Sequence, residues 1–276
     1  MNLFRRNVQA TGRLEQRVLT ALVAVPTLFA LIWFGEPWFS MLVAVVAILG
    51  LGEFYVLVSH RWPRPFFLLG VLWTVIFLLN AHFAGTDTMA LVAAAAIVLS
   101  LLLFPIRRRW REDVIPWAWT MVGVFLFGWT LSYFVLLREM EFGREWVLLV
   151  LFTVFAADTG AYFIGRAIGR HRLAPRLSPG KTWEGTIGGL AGALLVAYLI
   201  TYSMDVPISV AQALGLGALV AVLSPIGDLS ESALKRTVGE KEAGWLVPGH
   251  GGVLDRLDSI VFTVVVVYYY VQWVSD

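Results

Sequence analysis

Apolar runs of about twenty residues recur from one end of this chain to the other, and that is the length a helix needs to cross a hydrocarbon core roughly 30 Å thick. They fall at about 17–34, 38–58, 65–84, 88–106, 115–137, 146–168, 184–203, 208–231 and 256–274. None shows the period-two alternation of a barrel strand, and a bilayer leaves backbone groups no water to bond, so the runs read as helices. The expected fold is all-α, a polytopic integral membrane bundle of about nine transmembrane helices. Only 14% of the 276 residues are charged, against about 25% in a soluble domain. Little chain remains for a soluble module, so residues 1–276 read as a single membrane domain. Its spans up to 137 hold few polar groups, and 138–276 carry the polar motifs.

A span count assigns every connection to a side, and the basic residues test it. Of the 21 Lys and Arg residues, all but Arg138 and Arg144 fall on one side: the N-terminal tail, the second, fourth, sixth and eighth connections, and their flanks. The positive-inside rule makes that side the cytoplasm, with the N-terminus in it. The first apolar run is too long for a signal-peptide core and lacks a small-residue cleavage site, so it reads as a retained span. The expectation is a multi-pass protein of the inner, cytoplasmic membrane. The formal net charge of +2 conceals a basic face suited to anionic lipid headgroups and anionic solutes; no nucleic acid is expected as partner. A homodimer is allowed for, although no pattern in the chain points to one. Tryptophans 33, 38, 62, 110, 117, 146 and 273 lie near span ends, where headgroup-level anchoring is expected. The chain has no cysteine, which excludes disulfides, thiol nucleophiles, thiolate zinc sites and iron–sulfur clusters.

Polar residues of the second half collect in three places. In "FAADTGAYFIGRAIGR", Asp158 lies deep in an apolar run, where a carboxylate is costly unless paired or hydrated. It serves either a helix contact, bonding a hydroxyl such as Tyr162, or a polar cavity. In "RLSPGKTWEG", Gly180-Lys181-Thr182 resembles part of a phosphate loop, but Pro175 stands where that motif needs glycine. What survives is Ser178, Lys181 and Thr182 beside a helix start, a setting that favours phosphate; capping by Thr182 with a snorkelling lysine is the alternative. The third place runs from Ser224 to Ser259. If the eighth span stays helical past Ser230, Asp228, Glu231 and Lys235 share one face, with Ser232 and Arg236 beside them. Asp255 and Asp258 open the ninth helix, and singly each reads as a helix-start acid.

Together these groups ask for more than capping. Magnesium takes one or two protein carboxylates and fills its other positions with water and substrate phosphate. An aspartate from each of two helices supplies that, glycines 249, 251 and 252 let backbone N–H groups approach phosphate, and lysine and arginine neutralise a phosphoryl transition state. The stretch "SALKRTVGEKEAG" continuing into "PGHGGVLDRLD" resembles the signature of the phosphatidate cytidylyltransferases, with "DTGAYFIGRAIGR", "LSPGKTWEG", "GDLSES" and Glu53 of "GEFY" similar to inner motifs of that family. Glu242 stands where the family usually has aspartate and Val247 where a larger apolar residue is usual. The resemblance implies a magnesium-dependent reaction of CTP with phosphatidic acid, and leaves a second cation open. It implies Asp228 and Asp255 as metal ligands; Ser178, Lys181, Ser232, Lys235, Arg236, Lys241 and Arg256 on substrate phosphates; and His250 on the leaving pyrophosphate or holding its loop. Asp158 and Glu53, deep in their spans, are expected to line a hydrated cavity opening to this site. The rivals are a CTP-dependent lipid-alcohol kinase and, in another class, a secondary transporter, whose polar residues would reach both faces. A CDP-alcohol phosphotransferase is disfavoured because its Asp-Gly-x-x-Ala-Arg run is missing from the chain.

Overall fold

The computed structural model describes residues 20, 22–102, 110–240, 243–244 and 251–275. Among them run α1 (Leu22–Phe34), α2 (Trp38–Val58), α3 (Phe67–Ala84), α4 (Met89–Leu101), α5 (Trp110–Gly123), α6 (Thr130–Glu139), α7 (Gly143–Ile168), α8 (Trp183–Ser203), α9 (Val210–Val238) and α10 (Leu254–Ser275). A π-helical turn, Val124–Trp129, joins α5 to α6, so these form one rod over Arg111–Glu139. That rod and α2, α3, α7, α8, α9 and α10 are long and apolar enough to cross a membrane. Helices α1 and α4 are apolar but shorter as described. The protein is thus an all-α, multi-pass membrane protein, and each helical rod overlaps one of the apolar runs. Outside the expected all-helical pattern stands a small antiparallel hairpin of β1 (Arg172–Ala174) and β2 (Ser178–Thr182), pairing Arg172 with Thr182 and Ala174 with Ser178.

The boundaries that matter have local causes. Ser209 and Gln212 form a reciprocal capping box that starts α9. Beyond the apolar run, "LSESALKRTV" contains no helix breaker, so α9 continues to Val238 and stops at Gly239, whose φ of +84° closes it in the left-handed region. Thr182 ends β2 and caps α8, its hydroxyl accepting from Gly185 N–H at 3.1 Å.

Between apolar helices in a membrane, close backbone approach replaces the hydrophobic drive. Helices α7 and α8 meet through glycine: a Cβ on Gly160 would lie 2.5 Å from the Gly188 carbonyl oxygen, and one on Gly192 2.6 Å from that of Ala156. One apolar cluster joins both halves of the chain, from Leu51 and Phe77 through Phe127 and Leu149 to Leu216 and Val264. Trp146, in the first turn of α7 and so near a span end as expected, belongs to this cluster. It is 1% exposed, and its indole N–H finds the Glu141 carbonyl at 3.1 Å.

The connections sort into two ends. At one, Arg144 lies over the Trp33 ring at 4.4 Å and His82 Nδ1 is 2.9 Å from Glu139, joining the first, third and fifth connections. At the other, Arg61 donates to the Thr237 carbonyl and Lys181 meets Asp228, joining the second, sixth and eighth. The N-terminal arginines and Arg107 to Arg109 lie outside the described residues.

Candidate active site

At that second end, the later turns of α7, the hairpin, the first turns of α8, the later part of α9 and the start of α10 enclose a cavity of about 730 Å³. Its wall includes Asp158, Ser178, Lys181, Asp228, Asp255 and Arg256, which the sequence singles out, and also Asp258. Asp158 is exposed despite its depth, because it faces the cavity. Its carboxylate accepts from the Ser224 hydroxyl of α9 at 2.7 Å. The helix contact foreseen through Tyr162 is therefore made to another helix, while the Tyr162 hydroxyl accepts from Arg166 at 2.7 Å and both side chains line the cavity.

Ion pairs tie the elements together. Lys181 of β2 reaches Asp228 of α9, Nζ to Oδ2 2.6 Å, and also lies 3.4 Å from the Pro225 carbonyl oxygen. Ser232, one turn on from Asp228, donates to its Oδ1 at 3.4 Å. Lys235 bridges Asp255 of α10 at 2.7 Å and Glu231 at 3.1 Å. Asp255 also accepts the Ala243 N–H at 3.2 Å and the Gly252 N–H at 2.9 Å. Gly251, at φ +86°, makes the turn that aims the latter. That N–H, foreseen as a phosphate donor, is committed to the Asp255 carboxylate. Asp258 lies within electrostatic reach of Asp228 and Asp158, and its Oδ1 accepts from Ser259 N–H at 2.7 Å.

The hairpin is seated by small residues. A Cβ on Gly169 would lie 2.7 Å from the Thr182 hydroxyl oxygen, and one on Gly165 3.1 Å from it. Glu184, in the first turn of α8, accepts N–H groups of Arg170 and His171 and sits 2.6 Å from the His171 ring. Lys181, next to Thr182 on β2, is thereby carried on a hairpin held where the chain enters and leaves it.

The other foreseen residues are placed differently. Lys235 and Ser232 act on the cavity through the aspartates they hold and do not line it. Arg236 is exposed and donates to the Glu240 carbonyl at 3.1 Å, away from the cavity wall. Lys241, Glu242, Val247 and His250 lie outside the described residues. Glu53 is 5% exposed and is not part of the wall, contrary to the hydrated-cavity expectation, because its carboxylate turns to the backbone at Leu254. Arg166, Arg172 and Asp258 belong to the wall without having been singled out as site residues. Their signal in the sequence was charge on the basic side within the motifs themselves.

Among the described residues no group of three or more Asp, Glu, His or Cys side chains is gathered so as to hold a metal. Asp228 and Asp255, one from each of two packed helices, still offer hard carboxylate oxygens to one cavity. This donor set suits a cation that completes its shell with water and phosphate, and does not suit one needing a full protein cage.

The sequence profile of the cytidylyltransferase family matches residues 15–274. The phosphatidate cytidylyltransferase of Pseudomonas aeruginosa is 37% identical over 255 residues, 90% of this chain and 93% of its own. That of Brucella suis is 35% identical over 261 residues, 93% of each chain. That of Synechocystis is 32% identical over 284 residues, 93% of this chain and 96% of its own. The likeness therefore runs through the N-terminal spans as well as the cavity, and the chain belongs to the cytidylyltransferase family.

Proposed function

We propose that this protein transfers the cytidylyl group of CTP to phosphatidate, giving CDP-diacylglycerol and pyrophosphate, at the cytoplasmic face of the cytoplasmic membrane. The observation that carries the reading is the cavity at one end of the bundle, where Lys181, Asp228, Asp255 and Arg256 meet from the hairpin, α9 and α10. The names of the relatives agree with it. A lipid phosphate lies at the headgroup plane and CTP is a cytosolic solute, so a cavity at helix ends meets both. The excess of Lys and Arg at that end supports a cytoplasmic orientation.

An oxygen of the phosphatidate phosphate attacks the α-phosphorus of CTP. The bond from that phosphorus to the β-phosphate oxygen breaks, and pyrophosphate leaves with the electron pair. The attacking phosphate is already anionic at neutral pH, so the chain need not supply a general base. Its task is positioning and charge neutralisation. Lys181 and Arg256, with the Ser178 hydroxyl, face the cavity and are assigned to substrate phosphates. Lys235 and Ser232 hold Asp255 and Asp228 in place. Asp228 and Asp255 would hold magnesium, which when bound neutralises phosphate charge. By motif position alone, Lys241 is assigned to substrate phosphates and His250 to the leaving pyrophosphate.

The test is purified protein in detergent micelles with CTP, magnesium and phosphatidate, scored by pyrophosphate release. Release that depends on phosphatidate and is abolished in Asp255→Asn supports the reading. Release unaltered in that variant, or none from the folded wild-type protein, overturns it.

A further inference from the structure

Glu53 is a buried carboxylate on α2, in the half of the chain that contributes nothing to the cavity wall. Its Oε2 accepts the N–H of Leu254 at 2.9 Å, across 201 residues of sequence. Leu254 opens α10, so this N–H is one of the donors that a helix start leaves without an intrahelical partner, and the helix dipole favours a negative group there. The same carboxyl group fills a slot between two glycines. A Cβ on Gly244 would lie 2.5 Å from Glu53 Cδ, and one on Gly252 2.5 Å from Oε2. The two glycines also lie against each other, a Cβ on Gly252 falling 2.9 Å from Gly244 N.

Asp255 grips the same pair of chain segments from the cavity side, through the N–H groups of Ala243 and Gly252. Two carboxylates from opposite halves of the molecule thus hold residues 243–244 against 251–254. Leu254 and Asp255 are consecutive, so any movement of the Leu254 N–H carries Asp255 with it. The pair of glycines has a specific reason: a methyl at Gly244 meets Glu53, and all three of its nearest atoms belong to that side chain.

We propose that Glu53 is a positioning residue for the reaction: by capping α10 at Leu254 and seating Gly244 and Gly252, it fixes where Asp255 enters the cavity. The kinetic consequence rests on the function proposed above; the clamp itself does not.

Hydrogen exchange and kinetics on the purified protein test it together. In Glu53→Ala, amides of residues 251–256 exchange about tenfold faster, the effect of losing one helix cap, while those of α7 and α8 are unchanged. If Asp255 shifts by about 1 Å, kcat falls about a hundredfold, with KM for CTP held within about threefold, as for an interaction made in the transition state. Glu53→Gln, which keeps an accepting oxygen, recovers most of both. Gly244→Ala reproduces the Glu53→Ala exchange pattern, and added to Glu53→Ala it costs little more, because the atoms it would strike are gone. The proposal is overturned if Gly244→Ala and Glu53→Ala add independently, if exchange rises throughout the bundle, or if residues 251–256 loosen with kcat unchanged. Should the wild-type protein fail to turn over CTP at all, the function reading falls, and the exchange patterns of Glu53→Ala, Gly244→Ala and the double variant still decide the clamp.

Discussion

Gly227 sets the distance between the two helices that bear Asp228 and Asp255, and replacing it with alanine is the sharpest perturbation available. A Cβ there would overlap the Asp258 carbonyl oxygen of α10, with Phe262 Cδ2 at 3.0 Å and the Asp258 carbonyl carbon at 3.1 Å. The obstacle is backbone, so no side-chain rotation relieves it. A carbon settles against a carbonyl oxygen at about 3.3 Å or more, so α9 and α10 must part by about 1 Å at this point. Overpacking of this kind costs about 1–3 kcal/mol, and alanine returns about 1 kcal/mol of helix propensity. The net loss of stability is about 0–2 kcal/mol, which leaves the protein folded. Turnover is hit harder: Asp228 is the next residue and Asp255 lies one turn before Asp258, so both shift with the helices, and a 1 Å misplacement costs about a hundredfold. The assay pairs thermal unfolding in detergent with pyrophosphate release. Gly192→Ala is the control, because it makes a comparable backbone clash, 2.6 Å from the Ala156 carbonyl oxygen, between α7 and α8 and off the cavity wall. Native turnover in Gly227→Ala, or an equal loss in Gly192→Ala, would show that the spacing of α9 and α10 does not set catalysis.

Three further outcomes follow from the same geometry. Lys235→Met leaves Asp255 and Glu231 without their shared cation; breaking a buried ion pair costs about 3–5 kcal/mol, so the melting temperature in detergent falls steeply, and an unchanged melt would contradict the pairing. Asp158→Asn keeps an oxygen for the Ser224 hydroxyl but removes the charge from the cavity, so turnover falls while the melt changes little; turnover and melt both unchanged would dispose of a role in the cavity. Thr182→Ala removes the cap of α8, costing about 1 kcal/mol, and loosens the seat of the hairpin, so exchange at Gly185 N–H rises and KM for CTP increases through displacement of Lys181; unchanged exchange at Gly185 would show that the hydroxyl does not carry the cap.

Hydropathy made the bundle legible, because a run long enough to span is nearly unambiguous; the window at 38–58 coincides with α2, and those for α8 and α10 differ from the helices by no more than two residues at either end. The cap at Thr182 was readable from its neighbours alone. The hairpin was not: "RLAPRLSPGKT" has no alternation and two prolines, and it forms because Gly165, Gly169 and Glu184 give it a seat. The extent of α9 was readable only as a condition, since charge lowers hydropathy without breaking a helix. For the site, the motifs named most of the cavity wall but not its pairings. Lys181 finds Asp228, Asp158 finds Ser224 and Glu53 finds Leu254 across 47, 66 and 201 residues, and such partners depend on which helices adjoin, a property that local pattern does not encode. Asp258 was passed over because a helix-start acid explained it, although its place beside Asp228 on a packed helix puts it in the wall.

The central claim is that this cavity joins the α-phosphorus of CTP to a lipid phosphate. Supplying the purified protein with phosphatidate, magnesium and CTP labelled in separate reactions at the α- or γ-phosphorus, then separating lipid from water, measures this directly. The account predicts α-label in the lipid and γ-label in aqueous pyrophosphate, with both transfers lost in Asp228→Asn and Asp255→Asn. γ-Label in the lipid with CDP left in water would make the protein a kinase and contradict it.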